Sequence, residues 1–352
     1  MTHRIVLPRA SNLAAGEEEA SRGLAPRHAM WHLARALGAT LHEPEDDAGR
    51  PKRVADRVRG LIAGPDSLWA FARRVAMESS SSDVLFCPSE SGGLQMAGVL
   101  SGRRTRPRLA VFVHNVDRPR ARVALRWWSM AKTVDLFLAC SQAQVDFLRS
   151  ELGLSQDRVR FVSDHTDTAF FTPASGPVAT PLPRIVSVGL EQRDYRTLGE
   201  ATQDLDVEVR ISGFSKDAAA LARTFPDPMP ANMSRRFYAW PDLVELYRSA
   251  AVVVVACREN RYAAGVQSLM EASACGRPVI ATATTGLRSY LHDAVRPVPA
   301  QDAQALRAAI VAVLSDRSRS EADGATGLRI AHERFSFDRY VAEIAAQLRS
   351  LA

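Results

Sequence analysis

Lysine is nearly missing from this chain of 352 residues: three of its 45 basic side chains are lysine and the rest arginine, a bias that reflects the base composition of the source rather than function. Cysteine is scarce as well. Cys87, Cys140, Cys257 and Cys275 lie far apart without a Cys-x-x-Cys pair, which argues against a structural zinc or a disulfide framework and for buried thiols. No long apolar run occurs; the longest, Ala250 to Cys257, has eight residues and is too short to span a bilayer. The opening Met-Thr-His-Arg-Ile-Val-Leu-Pro does not read as a secretory signal, so the expected location is cytoplasmic. Familiar catalytic motifs are missing too. None of the lysines follows a glycine, so there is no phosphate loop, and no Gly-x-Gly-x-x-Gly follows the first strand, which disfavours a dinucleotide dehydrogenase. Gly-x-Ser-x-Gly and His-Glu-x-x-His are absent.

What is present is globular. Hydrophobic residues make up 46% and charged residues 24%, enough apolar material for two cores in a chain of this length. Short apolar strands alternate with amphipathic helices. In the first half, strands are expected at 4–7, 83–87, 109–114, 136–140 and 159–162, with helices such as 26–37, 93–100, 120–132 and 142–152 between them. Residues 172–183 hold four prolines and a glycine and read as a linker. The rhythm then restarts, with strands at 184–188, 207–211, 236–239, 251–257 and 278–282 and helices at 197–202, 243–249, 267–275 and 303–314. Two further helices, 321–333 and 337–351, end the chain. Alternation of this kind implies parallel sheets covered on both faces. The expected architecture is α/β: two doubly wound, Rossmann-like domains facing a cleft. The expected divisions are 1–172 on the acceptor side, 173–183 as linker, 184–335 for a donor, and 336–352 as a last helix packing back on the first domain.

Charge is unevenly spread. Residues 1–175 hold 24 basic against 19 acidic side chains, and the remainder 21 against 20. Arg103, Arg104, Arg106, Arg108, Arg118, Arg120, Arg122 and Arg126 concentrate the excess. They suit either an anionic partner or a solvated surface, and without a companion recognition motif nucleic acid is not expected. Residues 118–132, with Trp127 and Trp128, fit a peripheral membrane contact or a buried core face equally well. Asp204-Leu-Asp206 imitates a metal-holding pair but falls between a helix and a strand, where acidic turn residues are common.

The segment 251–282 carries most information. A buried strand runs through a polar loop and small residues, Ala263-Ala-Gly265, into a helix closed by Gly276. Small residues let a ligand approach the backbone, and N–H groups at a helix start favour a phosphate. Gln267 and Glu271 stand at i and i+4, Ser268 and Glu271 at i and i+3, so the three share a helix face. The same pattern also fits an ordinary βαβ unit with a solvent-facing glutamate.

Glu271-Ala-Ser-Ala-Cys-Gly-Arg-Pro-Val-Ile-Ala resembles the second half of the Glu-x7-Glu motif of retaining GT-B glycosyltransferases of the family 4 type, the group 1 glycosyl transferases. The stretches 135–141, 164–173, 184–198 and 335–340 resemble other segments of that family in the same order. The resemblance implies a hexosyltransferase using a nucleotide-diphosphate sugar as co-substrate, without a metal or other cofactor, and retaining the anomeric configuration. It implies that Glu271 holds the donor ribose and that Gly265, Val266, Gln267 and Ser268 meet the diphosphate. It further implies that Arg193, after Gly189, replaces the family's basic residue in the first donor loop, that His114 lies at the transferred sugar, and that the stretch with Tyr238 borders the base. His114 and Arg193 are therefore the expected catalytic residues. The acceptor, a saccharide, a lipid-linked molecule or a small natural product, is unspecified and is expected against the first domain near loop 8–25.

Two departures stand out. Ala263 occupies the place of the motif's first glutamate, and Leu190 follows Gly189 where the family commonly has arginine. They keep two alternatives open: a non-catalytic nucleotide-sugar-binding protein, and a nucleotide-sugar epimerase or phosphorylase on the same plan.

Overall fold

The computed structural model describes residues 2–44, 54–60, 64–127, 130–176, 178–214, 220–221 and 223–351. Trp128 and the side chain of Arg120 lie outside the described part. The chain forms two compact units, one of residues 1–17, 28–163 and 340–352, the other of residues 18–27 and 164–339.

The first unit holds β1 (His3–Val6), β2 (Thr40–His42), β3 (Val84–Cys87), β4 (Arg108–Val113), β5 (Leu136–Ala139) and β6 (Val159–Phe161). They form one parallel sheet in the order β2-β1-β3-β4-β5-β6. Its helices are α1 (Leu13–Ser21), α2 (Ala29–Leu37), α3 (Val54–Gly60), α4 (Asp66–Glu78), α5 (Glu90–Leu100), α6 (Pro119–Trp127), α7 (Met130–Thr133) and α8 (Gln142–Leu152), α1 reaching into the second unit at its end. Leu85, Val111 and Phe137 from three neighbouring strands anchor its core, with Trp69 and Val75 of α4 and Leu148 of α8 packed on them.

The second unit repeats the plan with β7 (Arg184–Val188), β8 (Glu208–Ser212), β9 (Met233–Arg235), β10 (Val252–Val255), β11 (Val279–Thr282) and β12 (Val295–Val298). The order is β12-β11-β10-β7-β8-β9, again all parallel. The helices are α9 (Tyr195–Thr202), α10 (Trp240–Arg248), α11 (Val266–Ala274), α12 (Ala303–Ser315), α13 (Arg317–Arg334) and α14 (Phe337–Arg349), the last passing into the first unit at Tyr340.

Strands in the sheet centres, such as Val252–Val255, are buried at every position, as parallel strands between two helix layers must be. Edge strands carry a weaker signal. β2 has no buried residue, and β12 carries Pro297, tolerated because an edge strand need not donate on both sides. The strand expected at 236–239 forms instead at Met233–Arg235, where Met233 pairs with Val209 and Arg235 with Ile211. The ladder sets this register, and the aromatic pair Phe237-Tyr238 that suggested a strand lies past its end.

Much of the arginine excess is matched within the first unit. Arg106 and Arg108 meet Asp135 at 2.6 and 3.0 Å, Arg126 meets Glu151 at 2.5 Å, and Arg122 meets Asp117. Trp127 is exposed. In the second unit, the buried Asp167 accepts from the main-chain N–H of Arg27 at 2.9 Å and from its guanidinium at 2.8 Å, which fastens segment 18–27. Arg27 also meets Asp338 and lies 4.1 Å over the Phe337 ring.

Candidate functional site

In the second sheet the chain leaves β7 toward one side and β10 toward the other, so the strand order reverses between these two neighbours. Loops at such a switch point diverge and leave a crevice at the carboxyl ends of the strands. Here the loops are residues 189–194 and 256–265. They are stitched together: Asp194 N–H donates to Ala256 O and Arg258 N–H to Gln192 O, both at 2.9 Å. Asp194 also caps α9, accepting from Thr197 N and Oγ1. The Tyr262 hydroxyl donates to the Glu191 carboxylate, and the Tyr195 hydroxyl to Gly189 O.

Arg193 sits at the centre and is 4% exposed. Its Nε donates to Val188 O at 2.9 Å, Nη1 to Glu191 O at 3.0 Å and to Cys257 Sγ at 3.5 Å, and Nη2 to Ser268 Oγ at 2.9 Å. Among the described residues no carboxylate is hydrogen-bonded to it. A guanidinium has five N–H groups, and the four bonds here all end on uncharged acceptors. A buried cation in a neutral shell is costly on its own, so the arrangement favours an anion at this point.

Two glycines make room for the guanidinium. Gly189 has φ +98°, and a Cβ there would lie 2.6 Å from Arg193 Nη2. Gly265 has φ +96° at the start of α11, and a Cβ there would lie 2.7 Å from Val255 Cγ1 and 3.3 Å from Arg193 Nη1. Both positions lack a side chain for a stated reason: left-handed backbone and an occupied space. At the α11 start, the N–H groups of Gln267 and Ser268 have no acceptor within the helix itself, and the helix dipole adds positive potential there.

Further along α11, Ser268 and Glu271 face inward while Gln267 is exposed. Glu271 accepts from the Tyr247 hydroxyl at 2.7 Å. Burial pushes its carboxyl up to about 7, against the opposing pull of the Tyr247 bond and the Arg193 charge. Val266 is buried in the first turn. The sequence-predicted residues Gly189, Arg193, Gly265, Val266, Ser268 and Glu271 thus converge on one place, whereas the Gln267 side chain, expected on the same helix face as Ser268 and Glu271, turns outward. Tyr238 does not join them; it lies past β9, two strands from β7, buried under the Arg236 guanidinium at 4.3 Å from the ring. His114 belongs to the first unit, at the carboxyl end of β4 with its side chain about half exposed. Cys257, Tyr247 and the Glu191–Tyr262 pair were not foreseen. Their only sequence signal is adjacency to the strand ends and helices already singled out.

Asp204 and Asp206 are exposed in the turn between α9 and β8. Among the described residues no three His, Cys, Asp or Glu side chains gather as a metal site. No helix among them is long and apolar enough to cross a membrane.

Residues 186–316 match the sequence model of the family described as "Glycosyl transferases group 1". A D-inositol 3-phosphate glycosyltransferase of Xylanimonas cellulosilytica is 28% identical over 255 residues, which is 65% of this chain and 60% of the relative. The chain therefore spans about 60% of that curated relative's length. Sucrose-phosphate synthase from Thermosynechococcus elongatus superposes with a TM-score of 0.74 at 17% identity, covering 100% of this chain and 99% of the other. HepE of Anabaena, solved in complex with UDP-glucose, gives 0.68 at 14% identity over 99% of this chain and 100% of its own. The segment that matches the group 1 glycosyl transferase model begins inside β7, ends at the close of α12 and includes every converging residue named above, in a chain with the GT-B fold.

Proposed function

We propose that the chain transfers a hexosyl group from a nucleoside-diphosphate sugar to an acceptor hydroxyl, without a metal ion and with retention at the anomeric carbon. The observation that carries this reading is the buried Arg193 cation, held in a neutral shell beside the start of α11, at the switch point within the segment that matches the group 1 glycosyl transferase model. As the bond from sugar to diphosphate breaks, negative charge grows on the leaving group. Arg193 and the first-turn N–H groups of α11 are preorganised to stabilise it, the role a divalent cation would otherwise take. Glu271 accepts the ribose hydroxyls. His114 meets the transferred sugar. Because HepE of Anabaena was solved with UDP-glucose, that molecule is the first donor to test.

The experiment is a thermal-shift screen of nucleotide sugars, followed by transfer assays in excess chelator with the new linkage read by proton NMR. Only a ligand favouring the native state raises the melting temperature. Activity lost to the chelator and restored by magnesium or manganese would overturn metal independence, and an inverted coupling in the first product would overturn retention. The second reading, a nucleotide-sugar binder without catalysis, draws on Ala263 where the family motif has glutamate. Donor binding with neither transfer nor donor consumption would establish it.

A further inference from the structure

The first sheet has its own carboxyl-end cluster, and one member has no role in the reading above. Glu90 is the first residue of α5, just past β3, and His114 follows β4, the adjacent strand. Glu90 Oε2 accepts from the His114 main-chain N–H at 3.0 Å and lies 3.4 Å from His114 Nδ1. Oε1 accepts from Asn115 N–H at 3.2 Å. The ring of His114 lies 4.9 Å from that of Phe112, which Tyr340 braces edge-on at 6.3 Å.

The carboxylate is fixed on three sides and has no rotational freedom to spare. Burial alone would raise its pKa, but bonds from the His114 side chain and main chain and from the start of α5 hold it down to about 2. An ionised carboxylate only accepts, so the proton between the two side chains belongs to Nδ1. In a neutral imidazole with Nδ1 protonated, Nε2 carries the lone pair.

We propose that Glu90 is a positioning residue for His114, fixing its Nδ1–H tautomer so that Nε2 accepts a hydrogen bond from a substrate hydroxyl. The proposal rests on the reading of His114 as a residue at the transferred sugar. Removing the charge alters the imidazole in two ways. The opposite charge no longer favours the imidazolium, and the tautomer loses its anchor.

The test is NMR of protein carrying 15N-labelled histidine, with the His114 signals identified by their loss in His114→Gln. Wild type should show the Nδ1–H form above its titration midpoint. Glu90→Gln should shift the population toward Nε2–H and lower the midpoint by about 1–3 units, the range for loss of a close opposite charge. Because Gln can accept at only one end, the variant disturbs the two main-chain bonds. Glu90→Asp, which keeps the charge and shortens the arm, should retain the Nδ1–H form with an intermediate midpoint. Unchanged tautomer and midpoint in both variants would overturn the proposal. With an active donor–acceptor pair, Glu90→Gln should lower kcat about 10- to 100-fold at unchanged donor Kd, with partial rescue by Glu90→Asp. A shifted tautomer with unchanged kcat would overturn the positioning role. If wild type transfers no sugar at all, the proposed function fails, while the NMR result still decides the Glu90–His114 relationship.

Discussion

Arg193 Nη2 donates to Ser268 Oγ at 2.9 Å, and the same hydroxyl donates onward to Val188 O, also at 2.9 Å. Arg193 Nε donates to that carbonyl too. The three groups close a triangle between the end of β7, the loop after it and the first turn of α11. One side chain thereby fixes the distance between two loops that diverge from neighbouring strands, and also brings the positive charge to their meeting point.

That double duty shapes the outcome of removing it. Arg193→Ala should weaken binding of a nucleoside diphosphate by roughly 2–5 kcal/mol, the scale of truncating one partner of a buried charge pair. It should also lower the melting temperature of the free protein, because Glu191 O and Ser268 Oγ lose their donor and Val188 O keeps only the one from Ser268. The free nucleoside should lose far less affinity. Calorimetry with UDP and uridine separates the two effects. Equal losses for both ligands would place Arg193 away from the diphosphate.

Gly265→Ala should be more damaging than an ordinary helix-start substitution. The residue is left-handed, and the new methyl would press on Val255, Cys257 and Arg193 at 2.7, 3.1 and 3.3 Å. Strain of this kind costs about 1–3 kcal/mol. Gly189→Ala carries the same left-handed strain but meets mainly the Arg193 guanidinium at 2.6 Å, so it should lower diphosphate affinity as well as stability. A Gly189→Ala variant with wild-type UDP affinity would contradict this account of why a glycine stands there.

The sheet cores were legible because their strands are continuous apolar runs, as Val252–Val255 and Leu136–Ala139 show. Edge strands were not. Thr40-Leu-His42 buries nothing, and Val295-Arg-Pro-Val298 carries a charge and a proline, so neither differs from a loop until its partner is known. The site was legible along the chain but not across it. Gly265, Ser268 and Glu271 announce themselves by spacing within one helix. Tyr247 on Glu271 and Glu90 on His114 are each 24 residues apart, and only tertiary pairing joins them. A usable signal did exist for Glu90: it follows β3 by three residues, and parallel neighbours gather whatever follows their strands at one edge. Arg193 was found by resemblance, but its burial in a neutral shell has no trace in the sequence.

Glu271 offers a test in which pH separates structure from binding. Burial holds its folded carboxyl near about 7, above the ordinary glutamate value of about 4.3 in an unfolded chain. The folded state therefore keeps this proton more tightly than the unfolded state. Its stabilising contribution is full below pH ~4 and lost as pH rises through ~7, a change of about 4 kcal/mol. Glu271→Gln imitates the protonated form at every pH. Relative to wild type it should gain stability between pH 5 and pH 8, read as a difference in denaturant midpoints. Binding should move the other way. An ionised carboxylate accepts ribose hydroxyls better than a protonated one, so wild-type UDP affinity should rise from pH 6 to pH 8 and the variant's should not. Tyr247→Phe removes the hydrogen bond that favours the ionised form and should push both transitions to higher pH. If Glu271→Gln leaves UDP affinity and its pH dependence unchanged, the carboxylate is part of the packing between α10 and α11 and the ribose is held elsewhere.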